Sequence, residues 1–456
     1  MDPDETFLLS NTESVCPECL ARIPAVKFAV GQNVLMRKTC PEHGDFTVTI
    51  WRGEPAFSDW IRAKIPCHPK VPKNSIERGC PFDCGLCPDH RQQTCTALLE
   101  ITRRCNLKCA YCFADSGNQE ARDPGIEVIK SWYESLKASG HLCNIQLSGG
   151  EPTVRDDLPQ IIAMGISMGF KFIQLNTNGI RLASDLTYVE RLKKAGLASV
   201  FLQFDGTNDQ IYTALRRGNF LQSKLRAIRN CGRQNLGVIL VPTLVHGLNT
   251  DDIGNIIRLA IDNIDVVRGV HFQPVSYFGR YPKAPVDHER LTLPDLMRLI
   301  EMQTSGAIKA ANFRPPGCEN ALCSFHGNFV LMPDGKLIPL SRFNRGASCC
   351  EPELAESGAL KTRHFVSTHW AAPSEADFSE QNSKYLLGDW DILLHRSRTH
   401  MLCISAMGFQ DVWNLDIERL KDCCIHVVAG DAEIIPFCAY NLTSAKGEFL
   451  YRGSVE

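Results

Sequence analysis

Hydrophobic and polar positions follow two alternating patterns along the middle of the chain. Short apolar runs typical of buried strands are separated by stretches in which apolar residues recur every three or four positions, as on one face of a helix. The predicted strands are Ala97–Ile101, Asn144–Leu147, Lys171–Asn176, Ser199–Phe204, Gly237–Leu244 and Gly269–Val275. The predicted helices between them include Ile126–Ser139, Leu158–Met168, Asp185–Ala195 and Asp252–Ile261. This repetition predicts an α/β fold built on a parallel sheet.

Six strand–helix units favour a partial (β/α)6 barrel over a closed barrel of eight. In such folds the chemistry takes place at the carboxyl ends of the strands. Turn residues follow several of these strands at that edge: Gly149, Gly150, Asn178, Gly179, Asp205 and Gly206. The repeat ends near residue 310, and Asn328–Leu340 then predicts a β-hairpin that turns at Asp334-Gly335.

Composition narrows the class of protein. The chain has 456 residues, 44% of them hydrophobic, and a formal net charge of −2. This balance predicts a soluble, cytoplasmic protein without a nucleic-acid partner. The acidic start does not resemble a signal peptide, and no run approaches the roughly 18 apolar residues of a transmembrane segment.

Cysteine is the outstanding feature of the composition, with 21 residues. The odd number, the length and the lack of a leader argue against a secreted disulfide framework. In a reducing compartment, closely spaced thiols are better explained as ligands of zinc or of iron–sulfur clusters.

The segment Cys105-x3-Cys109-x2-Cys112 directly follows the first predicted strand. Three thiolates leave one iron of a four-iron cluster without a protein ligand, so a cofactor or substrate can bind there. A zinc knuckle would also fit this spacing. The segment Ser148-Gly149-Gly150-Glu151-Pro152 after the next strand, inside the repeat, argues against the knuckle.

Together these two motifs resemble the radical S-adenosylmethionine (SAM) superfamily. The resemblance implies a catalytic [4Fe–4S] cluster on Cys105, Cys109 and Cys112, with SAM bound at the open iron and cleaved reductively to a 5′-deoxyadenosyl radical. It implies that the SAM-binding residues are Tyr111, Ser148, Gly149, Gly150, Glu151, Asn176, Asn178 and Asp205. For Asn176, Asn178 and Asp205, ordinary turn chemistry is the alternative interpretation.

Three further groups of cysteines have the spacing of metal sites. Cys16, Cys19, Cys40 and His43 form a C-x2-C-x20-C-x2-H pattern that predicts one tetrahedral zinc or iron ion. Cys67 is the alternative to His43. The second group predicts an auxiliary [4Fe–4S] cluster, with a second zinc site as the alternative; its members are Cys80, Cys84, Cys87 and Cys95.

The third group is C-terminal, where a further auxiliary cluster is expected on Cys318, Cys323, Cys423 and Cys438. Cys424 directly follows Cys423, and adjacent cysteines rarely bind one metal together, so one of this pair is expected to be a spectator. Cys143 and Cys231 are expected to be buried core thiols.

These groups suggest four domains. Residues 1–66 form a zinc-ribbon or rubredoxin-like knuckle and 67–96 an auxiliary-cluster segment. Residues 97–310 form the radical SAM core and 311–456 a C-terminal auxiliary-cluster domain.

Two stretches narrow the resemblance. The run from Arg78 to His90, RGCPFDCGLCPDH, and the segment from Asp416 to Cys438 resemble a radical SAM subgroup. That subgroup contains archaeal tetraether lipid synthase and 7,8-dihydro-6-hydroxymethylpterin dimethyltransferase-like enzymes. Membership implies auxiliary clusters and carbon–carbon bond formation, by methylation or coupling, on a small-molecule, pterin-like or lipid substrate. It also implies an external electron donor such as ferredoxin or flavodoxin.

Two other functions remain open from the sequence: a radical SAM enzyme that matures a peptide, and a non-catalytic iron–sulfur electron carrier. Several polar residues near the strand ends could contact an anionic or heterocyclic substrate, although each is also an ordinary surface or core residue. They are Arg155, Arg216, Arg217, His246 and His271.

Overall fold

The computed structural model describes residues 6–117, 122–140, 142–343, 352–373 and 389–452. At the N-terminus, four antiparallel strands pair in the order β1-β2-β3-β4. They span Thr6–Val15 (β1), Arg22–Val30 (β2), Asn33–Cys40 (β3) and Gly44–Arg52 (β4). Burial alternates along β3, as expected of a strand with one face against a core.

A large sheet forms the centre of the molecule. Its strands are Thr96–Thr102 (β6), Asn144–Gly149 (β7), Ile173–Thr177 (β8), Ser199–Gln203 (β9), Gly237–Val241 (β10), Thr243–Leu244 (β11), Val267–Pro274 (β12), Ser324–Leu331 (β13), Leu337–Pro339 (β14), Met401–Met407 (β16), Ile425–Ala429 (β17) and Glu433–Pro436 (β18). A separate two-stranded sheet joins Lys64–Ile65 (β5) to Glu353–Leu354 (β15).

The six predicted strand–helix units are confirmed, with one difference. Strands β6, β7, β8, β9, β10 and β12 lie side by side in this order and are parallel. The fifth predicted strand breaks into β10 and β11 at Pro242, because proline has no backbone N–H to donate to a neighbouring strand.

Strands from beyond residue 310 extend both edges of this sheet. Strand β16 pairs parallel to β12, and the predicted hairpin, confirmed as β13 and β14, pairs antiparallel to β16. On the other edge, β17 pairs parallel to β6. The predicted boundary at 310 therefore does not divide the sheet.

Helices cover the outside of the sheet. They are Phe57–Trp60 (α1), Ile126–Ala138 (α2), Leu158–Ser167 (α3), Ile180–Ser184 (α4), Leu186–Lys194 (α5), Asp209–Arg216 (α6), Leu221–Arg233 (α7), Ile253–Asp262 (α8), Leu293–Gln303 (α9) and Ala355–His369 (α10), followed by Asp389–Thr399, Ile417–Lys421 and Phe437–Tyr440. Local capping starts several of them: Asp185 accepts from the backbone N–H of Tyr188 at the start of α5. Helix α2 shows the packing, since it buries Ile129, Tyr133 and Leu136 against the sheet.

The inner face of the curved sheet encloses a cavity of about 730 Å³. Within the described ranges, no helix is long and apolar enough to cross a membrane.

Candidate active site

The cavity has two ends that carry thiols. Cys105, Cys109 and Cys112 line it beyond the carboxyl end of β6, and Cys95 lines it just before β6 begins. A seven-residue strand separates the two ends, which corresponds to roughly 20 Å at about 3.3 Å per residue. We call these the upper end and the lower end of the cavity.

Arg280 holds the cysteine loop at the upper end in place. Its Nε donates to the carbonyl of Cys109 at 2.9 Å, and its Nη2 donates to the carbonyl of Ser116 at 2.8 Å. Its own backbone exchanges two hydrogen bonds with Cys112. No pattern in the sequence predicts this role for Arg280, because it lies 171 positions after Cys109 along the chain.

Burial raises the pKa of the Cys105 thiol to about 12 and also raises that of Cys112. The free thiols are therefore protonated at neutral pH, and a bound metal is what would convert them to thiolates. Three thiols on one loop, of which Cys109 is buried and the other two are partly buried, all line one cavity and fit a cluster that has three protein ligands.

The two glycines after β7 allow a close approach between backbone segments. A Cβ on Gly149 would lie 2.2 Å from the carbonyl oxygen of Thr102, and one on Gly150 would lie 2.1 Å from that of Arg104. The structure shows that they make room for the chain that enters the cysteine loop.

Glu151 lines the cavity, but protein donors surround its carboxylate. Thr177 Oγ1 donates to it at 2.6 Å and the backbone N–H of Asn178 at 2.7 Å, while Thr153 donates through both its backbone and its hydroxyl. Asn178 in turn donates through Nδ2 to Asn106 Oδ1 at 2.7 Å. These contacts tie the turn after β8 to the cysteine loop.

Two other predicted SAM-binding residues also line the cavity close to this turn. Asn176 Nδ2 donates weakly to Ser148 Oγ at 3.4 Å. Asn176 Oδ1 is buried and has no hydrogen-bond partner within the described part of the chain. This oxygen is therefore available to accept from a ligand.

Asp205 does not line the cavity, which corrects its expected contact with the cofactor. It is fully buried behind Arg216, whose Nε and Nη2 both donate to its carboxylate at 2.7 Å. Arg216 does line the cavity, and its Nη1 donates to the carbonyl of Tyr111 at 3.1 Å. Asp205 thus positions Arg216, and Arg216 positions the cysteine loop.

Lys224 is a buried cation that the sequence did not suggest. Its Nζ donates to the carbonyl of Asn178 and, at 3.3 Å, to Gln203 Oε1. Burial lowers its pKa from 10.5 to about 8, although nearby Asp205 opposes this shift.

Among the other polar candidates, His271 lines the cavity, and its Nδ1 lies 2.8 Å from Ser405 Oγ. Arg155 is buried in an ion pair with Asp157, and neither Arg155, Arg217 nor His246 lines the cavity.

The N-terminal knuckle brings its four predicted ligands together. The ligand atoms of Cys16, Cys19, Cys40 and His43 lie within 4.8 Å of one another. His43 Nδ1 is 3.5 Å from Cys40 Sγ and 3.7 Å from Cys16 Sγ. Cys67 lies apart, where its sulfur accepts from Gln93 Nε2. A set of three sulfurs and one nitrogen fits a structural zinc ion.

Cys95 does not join the group formed by Cys80, Cys84 and Cys87, which corrects the predicted set of four. Cys84 hydrogen-bonds to Cys80, and all three thiols line one small cleft. Cys95 instead lies beside Cys318, and both sulfurs lie within 4.8 Å of Cys424 Sγ. The reason is topological: Cys95 and Cys424 directly precede the neighbouring parallel strands β6 and β17.

Three of the remaining C-terminal thiols lie near the partly buried guanidinium of Arg419. Arg419 Nε donates to Cys323 Sγ at 3.0 Å. Burial opposes the charge of Arg419, but its interactions with Cys323 and Cys438 outweigh this effect and raise the pKa of Arg419. Burial raises the pKa of Cys423, and the nearby Cys438 and Cys323 raise it further. Cys423 therefore lies near Cys323 and Cys438, whereas Cys424 lies near Cys95 and Cys318. Cys318 is thus not grouped with Cys323, Cys423 and Cys438, its predicted partners.

Two family models match the chain. Residues 99–260 match the radical SAM superfamily, and residues 8–52 match the HMPTM N-terminal zinc ribbon domain. Both matches confirm expectations from the sequence: the radical SAM fold class and the ribbon at the N-terminus.

Relatives cover the chain to different extents. The 7,8-dihydro-6-hydroxymethylpterin dimethyltransferase of Methanocaldococcus jannaschii is 36% identical, over 94% of this chain and 93% of the relative. A GTP 3′,8-cyclase of Alkaliphilus oremlandii is 28% identical over 54% of this chain and 80% of the relative. Among solved structures, Streptococcus suis SuiB bound to the precursor peptide SuiA has a TM-score of 0.40 at 19% identity, covering 48% of this chain and 47% of SuiB.

The match to the relative from Methanocaldococcus jannaschii covers nearly the whole of both chains. The chain therefore belongs to the radical SAM superfamily and, within it, to the family of 7,8-dihydro-6-hydroxymethylpterin dimethyltransferase.

Proposed function

We propose that this enzyme cleaves SAM reductively and uses the resulting radical to methylate carbon on a small pterin-like acceptor. The radical takes a hydrogen atom from the acceptor carbon, a second molecule of SAM gives up its methyl group to that carbon and leaves as S-adenosylhomocysteine, and the external reductant supplies the electrons. The observation that carries the proposal is a shared cavity. The Cys105–Cys112 loop and the Ser148–Glu151 turn line the same cavity of about 730 Å³. The identity to a pterin dimethyltransferase over nearly the whole chain supports methyl transfer and a pterin-like acceptor.

When bound, a [4Fe–4S] cluster with one open iron supplies the electron that cleaves SAM to methionine and a 5′-deoxyadenosyl radical. Cys105, Cys109 and Cys112 would hold that cluster. The role of the other residues is to bind, orient and exclude water, as is usual where a cofactor carries the chemistry. Arg280 and the Asp205–Arg216 pair fix the loop, and Asn176 Oδ1 offers an acceptor for an ammonium or amino group.

We further propose an auxiliary cluster at the lower end, on Cys95, Cys318 and Cys424. Three sulfurs from three distant segments converge there, and two of these residues line the cavity. The Cα atoms of Cys95 and Cys318 are 7.4 Å apart, beyond the usual limit of about 6.8 Å for a disulfide. This spacing is better suited to thiols that share a cluster. A second auxiliary cluster, on Cys80, Cys84 and Cys87, is proposed from their common cleft.

The test is anaerobic reconstitution followed by an assay of 5′-deoxyadenosine with SAM and a strong reductant, such as reduced flavodoxin. The protein would be compared with a Cys105/Cys109/Cys112→Ala variant and with Cys231→Ala, which removes a buried thiol far from the predicted ligands. We expect deoxyadenosine from the wild type and from Cys231→Ala, and none from the triple variant. With a reduced 6-hydroxymethylpterin present, mass spectrometry should detect product heavier by one or two methyl groups.

A fully loaded protein that yields no deoxyadenosine, with or without the pterin, would contradict the enzymatic proposal and favour an electron carrier. Deoxyadenosine without a heavier pterin would contradict only the choice of acceptor.

A further inference from the structure

The lower end of the cavity contains a buried carboxylate beside its three thiols. Glu319 directly follows Cys318 in the chain, and its exposed fraction is only 9%. One carboxylate oxygen, Oε2, lies 3.8 Å from Cys424 Sγ. Glu319 lines the cavity, as do Cys95 and Cys424. The carboxylate therefore lies where three separate segments of the chain bring their thiols together.

Two contacts fix the position of Glu319. Ser324 Oγ, at the start of β13, donates to Glu319 Oε1 at 2.5 Å. Lys64 Nζ donates to the backbone carbonyls of both Cys318 and Glu319. The serine thus occupies one carboxylate oxygen and leaves the other beside Cys424, while the lysine holds the backbone of Glu319 next to the thiols.

The negative charge of Glu319 is the feature that points to a metal. Within the described ranges, no lysine, arginine or histidine forms an ion pair with its carboxylate, and Lys64 contacts its backbone carbonyl instead. A buried carboxylate without a partner is unfavourable, because the charge has lost its hydration. A bound cation removes this cost, and iron accepts carboxylate oxygen as a ligand.

The number of thiols at the lower end leaves one ligand position open. Three thiolates leave one iron of a four-iron cluster without a protein ligand. Cys323 is the alternative fourth ligand, but its sulfur accepts from Arg419 Nε at 3.0 Å. Cys323 is also not among the thiols whose sulfurs lie within 4.8 Å of one another. Glu319 is therefore the better candidate for this position.

We infer that Glu319 is the fourth protein ligand at the lower end and binds, through its carboxylate, the iron that the three thiols leave open. This inference rests on the proposed lower-end cluster and goes beyond it, because it assigns a ligand that is not a cysteine. The thiols give up their protons when the metal binds, and the carboxylate then has a cation as its partner. Because carboxylate is a weaker ligand than thiolate for cluster iron, this iron is the first that the cluster loses.

The test measures iron in protein that lacks the SAM cluster, whose open iron would otherwise obscure the result. The Cys105/Cys109/Cys112→Ala variant provides this background and would be reconstituted anaerobically. Glu319→Gln keeps the shape of the side chain but removes its charge. Ser324→Ala removes only the hydroxyl that orients the carboxylate.

A matched control is available elsewhere in the chain. Glu301 is a partly buried carboxylate that accepts from the backbone N–H of Ala310 at 2.8 Å and does not line the cavity. Glu301→Gln in the same background therefore makes the same chemical change away from the cavity. Metal-free samples of every variant should melt no lower than the background protein, which separates lost ligation from misfolding.

We expect Glu319→Gln to contain about one iron atom less per chain than the background, the difference between a four-iron and a three-iron cluster. Its electron paramagnetic resonance spectrum should show an oxidised three-iron cluster before any oxidant is added. Ser324→Ala should bind the full amount of iron but lose this atom faster than the background during mild oxidation with ferricyanide. Glu301→Gln should match the background in both measurements.

An iron content and a spectrum of Glu319→Gln equal to those of the background would overturn the inference. A three-iron signal in Cys323→Ser but not in Glu319→Gln would also overturn it and would assign the fourth position to Cys323. Cys318→Ser separates this result from failure of the proposed cluster. If Cys318→Ser loses about four iron atoms and Glu319→Gln loses none, the cluster stands without its carboxylate ligand. Unchanged iron in Cys318→Ser would overturn both, and neither result depends on SAM cleavage.

Discussion

The two ends of the cavity are built in different ways. At the upper end, all three thiols come from one loop of eight residues, and buried charge and backbone contacts from elsewhere hold that loop. At the lower end, the three thiols come from positions 95, 318 and 424. The pairing of β6 with β17 brings Cys95 and Cys424 together, and Lys64 and Gln92 hold the carbonyl of Cys318. One end is a local motif that the fold supports, and the other exists only once the whole chain has folded.

This difference has a physical consequence. The upper loop keeps its shape through polar contacts, so damage to those contacts should cost stability and SAM binding together. The lower group also has polar contacts, since Lys64 Nζ and Gln92 Nε2 both donate to the carbonyl of Cys318. Because its three sulfurs come from separate segments, we expect their convergence to depend as well on whatever the thiols bind.

The largest effect that would test this contrast is the loss of a whole cluster at the lower end. We expect Cys318→Ser to lower the iron content by about four atoms per chain, the content of one cubane, while the signal of a SAM-bound cluster persists in electron paramagnetic resonance spectra. The control is Cys403→Ser, since Cys403 is also a buried thiol that lines the cavity. Equal iron content in Cys318→Ser and wild type would show that these thiols hold no cluster.

At the upper end, the largest effect should come from Asp205→Asn. It leaves the buried Arg216 without its counter-charge, which costs about 3–5 kcal/mol of unfolding free energy for comparable buried pairs. Urea unfolding of the metal-free protein would measure the loss. Glu190→Gln is the control, because it breaks an exposed i,i+4 pair with Lys194 worth about 0.5 kcal/mol or less. Equal stability of the two variants would contradict a structural role for the buried pair.

The contrast between a local motif and a group formed by distant segments also explains which features could be predicted from the sequence. The cysteine loop, the ribbon ligands and the six strand–helix units depend on spacing and periodicity within short segments, and the structure has each of them. Assigning Cys95 to Cys80, Cys84 and Cys87 failed because proximity in sequence was taken for proximity in space.

Contacts between distant segments explain the features that the sequence did not predict. Nothing local indicates that β17 pairs with β6, yet this pairing is what carries Cys424 to Cys95. Arg280 and Lys224 were missed for the same reason, because their partners lie in distant segments. Asp205 was assigned to the cofactor because a turn residue after a strand does not reveal a buried arginine behind it.

A smaller effect should follow from Gly150→Ala. The added Cβ would lie 2.1 Å from the carbonyl oxygen of Arg104, so the entry to the cysteine loop must shift. Overpacking of this kind costs about 1–3 kcal/mol, and we expect weaker SAM binding as well as a lower melting temperature. Gly125→Ala is the matched control, since a Cβ there meets nothing within 4 Å. Unchanged SAM affinity in Gly150→Ala would mean that the loop tolerates displacement.

The smallest effect is a pH dependence from Lys224, beside the upper end. Its folded-state pKa of about 8 lies below its ordinary value of 10.5, and burial is the main cause. Between these two values the unfolded chain binds a proton that the folded chain has lost, so this residue makes the free energy of unfolding rise with pH across that window.

We therefore expect the stability of wild type relative to Lys224→Met to increase from pH 8 to pH 10. The exposed Lys194→Met variant should show no such trend. Because the thiols and tyrosines of the unfolded chain titrate in the same range in every variant, only the difference between proteins isolates Lys224. If that difference does not change with pH, Lys224 keeps its proton in the folded state, and the upper end contains a buried ammonium that its neighbouring carboxylates stabilise.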